Sequence, residues 1–226
     1  LLHSGNYMPG ARLPSEHALS EQLGISRPTL REALHQLEEE GVIVRRHGVG
    51  TFVARPQPVI EAGLEVLESL ERLAERSGLH TKMGEVVIGE RLATTRESKG
   101  LGSAAPVPVT VVERVILADG QRIAHLIDVV PQSHLRRSDL GADFNGSVLE
   151  HFLACGRLTL SHSRTELCVE AADNESARAL HIQRGAPLLK LEAQLFATDG
   201  QIVDYSISHF IPGRFRFHVV RRVANA

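Results

Sequence analysis

The spacing of apolar residues changes character twice along the chain. Between residues 14 and 41 it is helical. Leu19 and Leu23 stand four apart, and Leu30, Ala33, Leu34 and Leu37 recur at i, i+3, i+4 and i+7, one stripe of an amphipathic helix. Pro14-Ser15 predicts the start of the first helix and Gly24 its left-handed end. Ser26 can cap the second helix, Pro28 fits its first turn and Gly41 stops it. A connection of so few residues, Gly24-Ile25-Ser26, predicts helix-turn-helix. The next stretch, "VIVRRHGVGTFV", holds two β-rich runs about a glycine turn, hence a hairpin. Helix, turn, helix, hairpin is the order of a winged helix-turn-helix.

"ARPQPV", residues 54–59, breaks the pattern. Pro56 and Pro58 favour an extended spacer there. "IEAGLEVLESLERLAERSG", residues 60–78, then predicts a helix carrying Leu64, Leu67, Leu70 and Leu73, with Gly78 at its end. After it the period shortens to two. Residues 83–91, 107–120, 121–131, 158–172, 187–200, 201–213 and 215–223 are β-rich. Asp119-Gly120 and Asp199-Gly200 mark hairpin turns between adjacent runs. Residues 146–156 and 173–182 interrupt them with helical patterns. Antiparallel strands with helices set apart predict an α+β fold. The expected division is a DNA-binding unit at 1–55, a linker at 56–61 and a second domain at 62–226.

Composition narrows the class. A chain of 226 residues with 42% apolar and 23% charged residues suits a soluble protein of two domains. It has no run of about 18 apolar residues that would span a membrane. The N-terminus lacks the basic and apolar regions of a signal peptide, so a cytoplasmic protein is expected. It also lacks a starting Met, and the chain is expected to begin inside a longer natural protein. Cys155 and Cys168 form neither a disulfide framework nor a CxxC pair, and free buried thiols are the plain expectation. No metal or cofactor motif is present, and neither is G-x-S-x-G, H-E-x-x-H or a phosphate loop, which argues against an enzyme.

The net charge of −2 gives no general attraction to polyanions. Charge in the first 55 residues is balanced but polarised, with six arginines against six glutamates. Arg27 and Arg31 lie four apart, off the apolar stripe and in the first turns of the second helix, with Thr29 between them. Those turns are the ones a recognition helix sets into the major groove, where arginine reads guanine. Arg45 and Arg46 place charge on the hairpin, His47 can donate to a phosphate or a groove edge, and Gly48 and Gly50 allow close approach to a phosphate backbone. Glu38, Glu39 and Glu40 sit at the far end of the helix, away from the expected DNA.

This ordered set resembles the winged helix-turn-helix of the GntR family of bacterial regulators. Its carriers are "GNYMPGARLPSE" (residues 5–16), "LSEQLGISRPTLREALHQLEEEG" and "RRHGVGTFV". The family's first helix is reduced here to "LLHSG". The resemblance implies DNA contacts at His17, Ser26, Arg27, Thr29, Arg31, His47 and Gly48, to which the residue chemistry adds Arg45 and Arg46.

Three readings compete for the rest of the chain: an effector-binding domain, an enzyme, or a dimerisation module without ligand. The run of strands and helices resembles the UTRA sensor domain of HutC-type GntR regulators, carried by "ERVILADGQRIAHLIDVVP", "GSVLEHF" and residues 175–217. That implies an antiparallel sheet with flanking helices, similar to chorismate lyase, and an effector pocket at Ser69, Arg114, Ser147, Asp204, Ser206 and Phe210. An inward Arg114 would want an anion, either a ligand acid or an ion-pair partner such as Glu113 or Asp204. Ser147 can equally cap a helix. Ile116 and Leu126 stand where relatives that bind phosphosugars carry polar anchors, so a less polar effector is expected. Lone histidines on these strands are expected to be satisfied or exposed. The expected protein is a homodimeric repressor of double-stranded operator DNA, released by a small acid, with no membrane partner and no cofactor. The alternatives are an activator, a regulator without ligand, or an enzyme on the chorismate-lyase-like fold.

Overall fold

The computed structural model describes residues 7–39, 42–46, 49–53, 59–141, 144 and 146–221. The chain divides into two compact units, Leu1–Gln57 and Pro58–Ala226. In the first unit α1 spans Glu16–Leu23 and α2 spans Arg27–Glu39. Ser15 caps α1, its hydroxyl accepting from the Ala18 N–H at 3.2 Å. Gly24 closes it at φ 64°, a left-handed turn that glycine adopts without Cβ strain. Ser26 begins α2 by accepting from the Thr29 N–H at 3.3 Å. The hairpin follows as β1, Ile43–Arg46, and β2, Gly50–Val53, antiparallel with Arg46 opposite Gly50. Leu13, Leu19, Leu30, Leu34 and Ile43 form the core, so the predicted stripe of α2 does face inward. Burying each such leucine contributes about 1.5–3 kcal/mol. Gly41 and the glycine-rich turn residues His47 and Gly48 lie outside the described residues, as do residues 1–6 and 54–58.

In the second unit the predicted helix over 60–78 is two elements. Ile60–Gly63 is a strand, β3, and only Leu70–Arg76 is helical, α3. Burial alternates at Ile60 and Ala62, and β3 pairs in parallel with β10, Phe215–His218, which tertiary pairing favours over local helix propensity. Ile60 and Glu61, expected in the linker, therefore belong to this strand. Ser69 caps α3, accepting from the Arg72 N–H at 3.4 Å.

A six-stranded antiparallel sheet carries the remainder. It consists of β4 (Thr81–Leu92), β5 (Pro108–Ala118), β6 (Gln121–Pro131), β7 (Leu160–Ala171), β8 (Pro187–Ala197) and β9 (Ile202–Phe210). Their order in space is β4-β5-β6-β9-β8-β7. Both Asp-Gly turns close hairpins, with Asp119 at φ 50° and Gly120 at φ 74° in the first. One face packs on α3 through Ile116, Leu126 and Phe210, and on α5 (Val148–Cys155) through Val112, Val130 and Leu195. The other face packs on α4 (Thr95–Gly100) through Val109, Val129 and Tyr205, with α6 (Asn174–Leu180) covering Leu188. The two clusters on the first face leave a gap between them at the middle of the sheet. Cys155 and Cys168 are free, as expected, but exposed and not buried: one lies on α5 and the other on the edge strand β7.

Candidate nucleic-acid interface and ligand site

The first unit presents its cations on the surface away from the leucine stripe. Arg27, Thr29 and Arg31 are exposed on α2, and Arg45 and Arg46 on β1. The Ser26 and Thr29 hydroxyls lie 2.7 Å apart at the helix start. The Arg31 Nε donates to Glu16 Oε2 at 2.8 Å, yet 64% of the Arg31 side chain remains exposed. Arg45 reaches the same carboxylate at 4.0 Å. The hydrogen bond from Arg31, with the nearby charges of Arg31, Arg45 and Arg27, holds the Glu16 carboxyl below the usual carboxylate range. Arg46 lies over the Phe52 ring at 5.2 Å, a cation–π contact that stiffens the wing. His17 is exposed in the first turn of α1, 3.6 Å from Glu21. His47 and Gly48 lie outside the described residues.

Two residues of this surface were not foreseen as site residues. Glu16 joins α2 to the wing by bridging Arg31 and Arg45. Arg12 lies against the wing strand: a Cβ on Gly50, at φ 138°, would sit 2.7 Å from the Arg12 Nε. Both belong to the quoted stretch 5–16, so the motif held the signal but the charge pattern alone did not assign them a role. Glu38 also departs from expectation. It is not remote from the basic edge, because its carboxylate lies 3.5 Å from the Arg45 Nε and accepts from the Arg45 backbone N–H at 3.3 Å.

In the second unit the gap on the α3/α5 face is filled by charge. Arg114 of β5 is buried with 7% of its side chain exposed. It pairs with Glu71 of α3 at 3.7 Å and with Asp128 of β6 at 4.0 Å. Neither partner is the one expected. Glu113 is on the same strand, so alternation turns its side chain to the opposite face, where it meets His125 at 2.8 Å. Asp204 of β9 is buried next to Asp128, and the two carboxyls interact directly. Burial, then the charge of Asp128, pushes Asp204 well above the usual carboxylate range. Burial raises Asp128 as well, against the opposing pull of Arg114. One proton shared between the two carboxyls satisfies both directions.

The remaining expected residues fall around this cluster. Ser206 faces Asp128 across the β6–β9 ladder. Ser147 caps α5, accepting from the Glu150 N–H at 3.2 Å, and is buried. Ser69 does the same for α3, so both serines have structural work in hand. Arg72 of α3 bonds Glu150 of α5 at 2.9 Å, tying the two helix starts together over the sheet. Gly146 allows a close approach: a Cβ there would sit 3.3 Å from the Arg114 Cδ. Phe210 packs in an aromatic group with Phe215 and Phe217 at 4.7 and 5.0 Å, at the apolar end of this face. Glu71 and Asp128 were missed from sequence. Glu71 lay in a stretch read as one long helix, and Asp128 in an apolar run whose facing partner only the register reveals.

The opposite face carries a separate polar belt. His125 and His209, stacked 6.0 Å apart, bond Glu113 and Glu170, so these two histidines have structural partners. Among the described residues, no group of His, Cys, Asp and Glu has the arrangement of a metal site. No helix among them is long and apolar enough to cross a membrane.

Comparison with known proteins bears on both units. Residues 1–53 match the family described as bacterial regulatory proteins, gntR family, and residues 76–216 match the UTRA domain. The HTH-type transcriptional repressor NagR of Bacillus subtilis is 30% identical over 229 residues, spanning 99% of this chain and 91% of that protein. A histidine utilization repressor of Klebsiella aerogenes is 30% identical over 227 residues, spanning 95% of this chain and 87% of its own. Among solved structures, PhnF from Mycobacterium smegmatis superposes with a TM-score of 0.68 at 24% identity, covering 97% of this chain and 95% of its own, a likeness of fold.

Proposed function

The chain belongs to the gntR family of bacterial regulatory proteins, as a DNA-binding transcriptional repressor of the HutC type with an effector-binding UTRA domain, and from that premise we propose how its residues divide the work. Arg31, Arg27 and Thr29 read base edges in the major groove. Ser26, His17, Arg45, Arg46, His47 and Gly48 fix the register on the phosphate backbone. The observation that carries this reading is that Arg27, Thr29 and Arg31 are exposed on α2 while its Leu30 and Leu34 are buried. Arg114, Asp204 and Ser206, with Ser69, Ser147 and Phe210 at the margins, form the effector site. The effector is a small molecule with an acid group for Arg114 and a donor for Asp204. Its binding weakens operator affinity through a coupling free energy of about 1–3 kcal/mol.

The protein works as a homodimer in the cytoplasm. One recognition helix reads too few base pairs for genomic specificity, and two helices on a twofold axis read half-sites about one helical turn apart or a multiple of it. The second unit holds the pair. Its edge strand β7 supports this, being 12 residues long with Leu167 and Val169 exposed. Sedimentation of the full chain at micromolar concentration, with and without a palindromic duplex enriched from random DNA, tests the proposal. The expected result is a dimer that binds one duplex per pair. A monomer that binds a single half-site would overturn it.

A further inference from the structure

The polar atoms around Arg114 are unevenly matched. Among the described residues, four buried carboxylate oxygens in this cluster lack a hydrogen-bond partner in the chain: both oxygens of Glu71, Asp128 Oδ2 and Asp204 Oδ1. Two buried donor nitrogens are in the same state, the Nε and Nη1 of Arg114. Acceptors therefore outnumber donors. Charge runs the same way. Arg72 is engaged with Glu150 at 2.9 Å. That leaves Arg114 facing Glu71, Asp128 and Asp204. A proton shared by the two aspartates still leaves two negative charges against one guanidinium. The neighbours of Arg114 on this face add no cation: Ile116 and Leu126 are apolar, and Ser206 is neutral.

A phosphate monoester would bring up to two more negative charges and no donor at neutral pH. It would meet one guanidinium and the same carboxyls, and like charges in a buried site repel strongly. A protonated nitrogen has the opposite effect. It supplies up to three donors to the unpartnered oxygens and cancels the excess charge. A single carboxylate on the same ligand would fit Arg114, whose Nε and Nη1 have no hydrogen-bond partner among the described residues.

We infer that this cluster is a receptor for a small amine, one bearing a protonated nitrogen and at most one carboxylate, with the nitrogen set between Glu71, Asp128 and Asp204 and any carboxylate on Arg114. An amino acid is the simplest molecule that uses both halves. The inference rests on the cluster being the effector site, and it narrows the donor named above to an amine.

The test is thermal melting of the full chain at pH 7 with matched probes. Butanoate and 4-aminobutanoate differ by the amine. A panel of amino acids and linear diamines extends one arm, and inorganic phosphate and glucose 6-phosphate form the other. The expected result is a rise in melting temperature with at least one amine and none with butanoate or the phosphates. Asp204→Asn and Asp128→Asn should each weaken that amine at least tenfold in Kd while the ligand-free variants still melt cooperatively. Amine binding unchanged by both variants would place the amine elsewhere and overturn the inference. A shift with the phosphates that Arg114→Gln abolishes would leave the effector site standing and overturn the amine. Silence from every probe would overturn the site and the inference together.

Discussion

The two units treat charge in opposite ways. In the winged unit Arg31 and Arg45 meet Glu16 and Glu38 at the surface, where water screens the pairs and each contributes about 0–1 kcal/mol. Such contacts are cheap to exchange, so the same arginines can hold a glutamate in free solution and a phosphate or base on DNA. In the sheet unit Arg114 and Asp204 are buried and Asp128 is largely covered, where an unmatched charge costs far more. That cluster cannot rearrange at low cost, and its unmatched atoms define what may enter. The exposed edge suits a long polymer read at many registers. The buried cluster suits one small molecule.

The largest effect that tests the contrast is ionic strength. If the exposed arginines carry the DNA contact, a dimer neutralising about six to ten phosphates should lose roughly 10³–10⁵ in operator affinity between 50 and 200 mM salt. Anisotropy titrations with a labelled operator measure this directly. Affinity that barely changes would remove the basic edge from the interface. The melting temperature of the ligand-free protein should change little over the same range.

Individual arginines come next. Arg31→Ala should cost about 1–3 kcal/mol per half-site and relax preference at one base position. Arg45→Ala should weaken operator and random DNA alike. Binding to a set of single-base operator variants separates the two behaviours. If Arg31→Ala lowers affinity for all variants equally, Arg31 is a backbone contact and the assignment of base reading to α2 fails at that residue.

These assignments were legible in sequence to different depths. The helix-turn-helix and hairpin could be read residue by residue, because caps, stripe and turn glycines are local signals that agree with one another. The sheet could be read as strands, but not in its spatial order, because β6 lies beside β9 and not beside β7. The register that sets Asp128 opposite Ser206 is a long-range fact. Residues 60–78 misled for a related reason. Leucines at helical spacing were local evidence, while the partner strand β10 lay some 150 residues away. Arg114 was identifiable as a charge in an apolar run, and its partners were not, since strand alternation removed Glu113 and the fold brought in Glu71.

The buried pair gives an effect of intermediate size that depends on pH. Asp128 and Asp204 are both raised by burial. For an acid with a raised folded value, the folded state binds more protons than the unfolded chain. Stability is fully present below the ordinary carboxylate value and falls as pH climbs through the raised one. Asp204→Asn mimics the protonated form and should escape that loss. Its melting temperature relative to the parent should therefore rise with pH, starting from near equality in acid. Each unit of upward displacement corresponds to about 1.4 kcal/mol. The difference between the two proteins is the proper readout, because Glu97 works in the other direction. Held to about 2 by its hydrogen bonds with Arg91, it withdraws stability as pH falls. A pH-independent difference would mean that the aspartates do not share a proton.

The smallest expected effect concerns Glu16, and it tests whether exposed pairs really are exchangeable. Glu16 accepts from Arg31 at 2.8 Å and lies 4.0 Å from Arg45, so it orients both side chains before DNA arrives. Its lowered carboxyl makes that restraint present at neutral pH and lost only in acid. Replacing Glu16 by Gln keeps the shape and removes the charge. Folding stability should drop by no more than about 1 kcal/mol. DNA binding should change in two opposed ways. Random DNA should bind a few-fold tighter, because a negative charge beside the phosphates is gone. Operator DNA should gain less, because Arg31 loses the support that aims it. The ratio of operator to random affinity should therefore fall, and most clearly at low salt, where screening is weakest. Affinities for both duplexes at two salt concentrations decide the matter. If the ratio holds and both affinities rise together, Glu16 is a plain repulsive charge with no part in aiming Arg31. If neither affinity moves, the surface pairs are indifferent to DNA, and the contrast with the buried cluster would rest on the sheet unit alone.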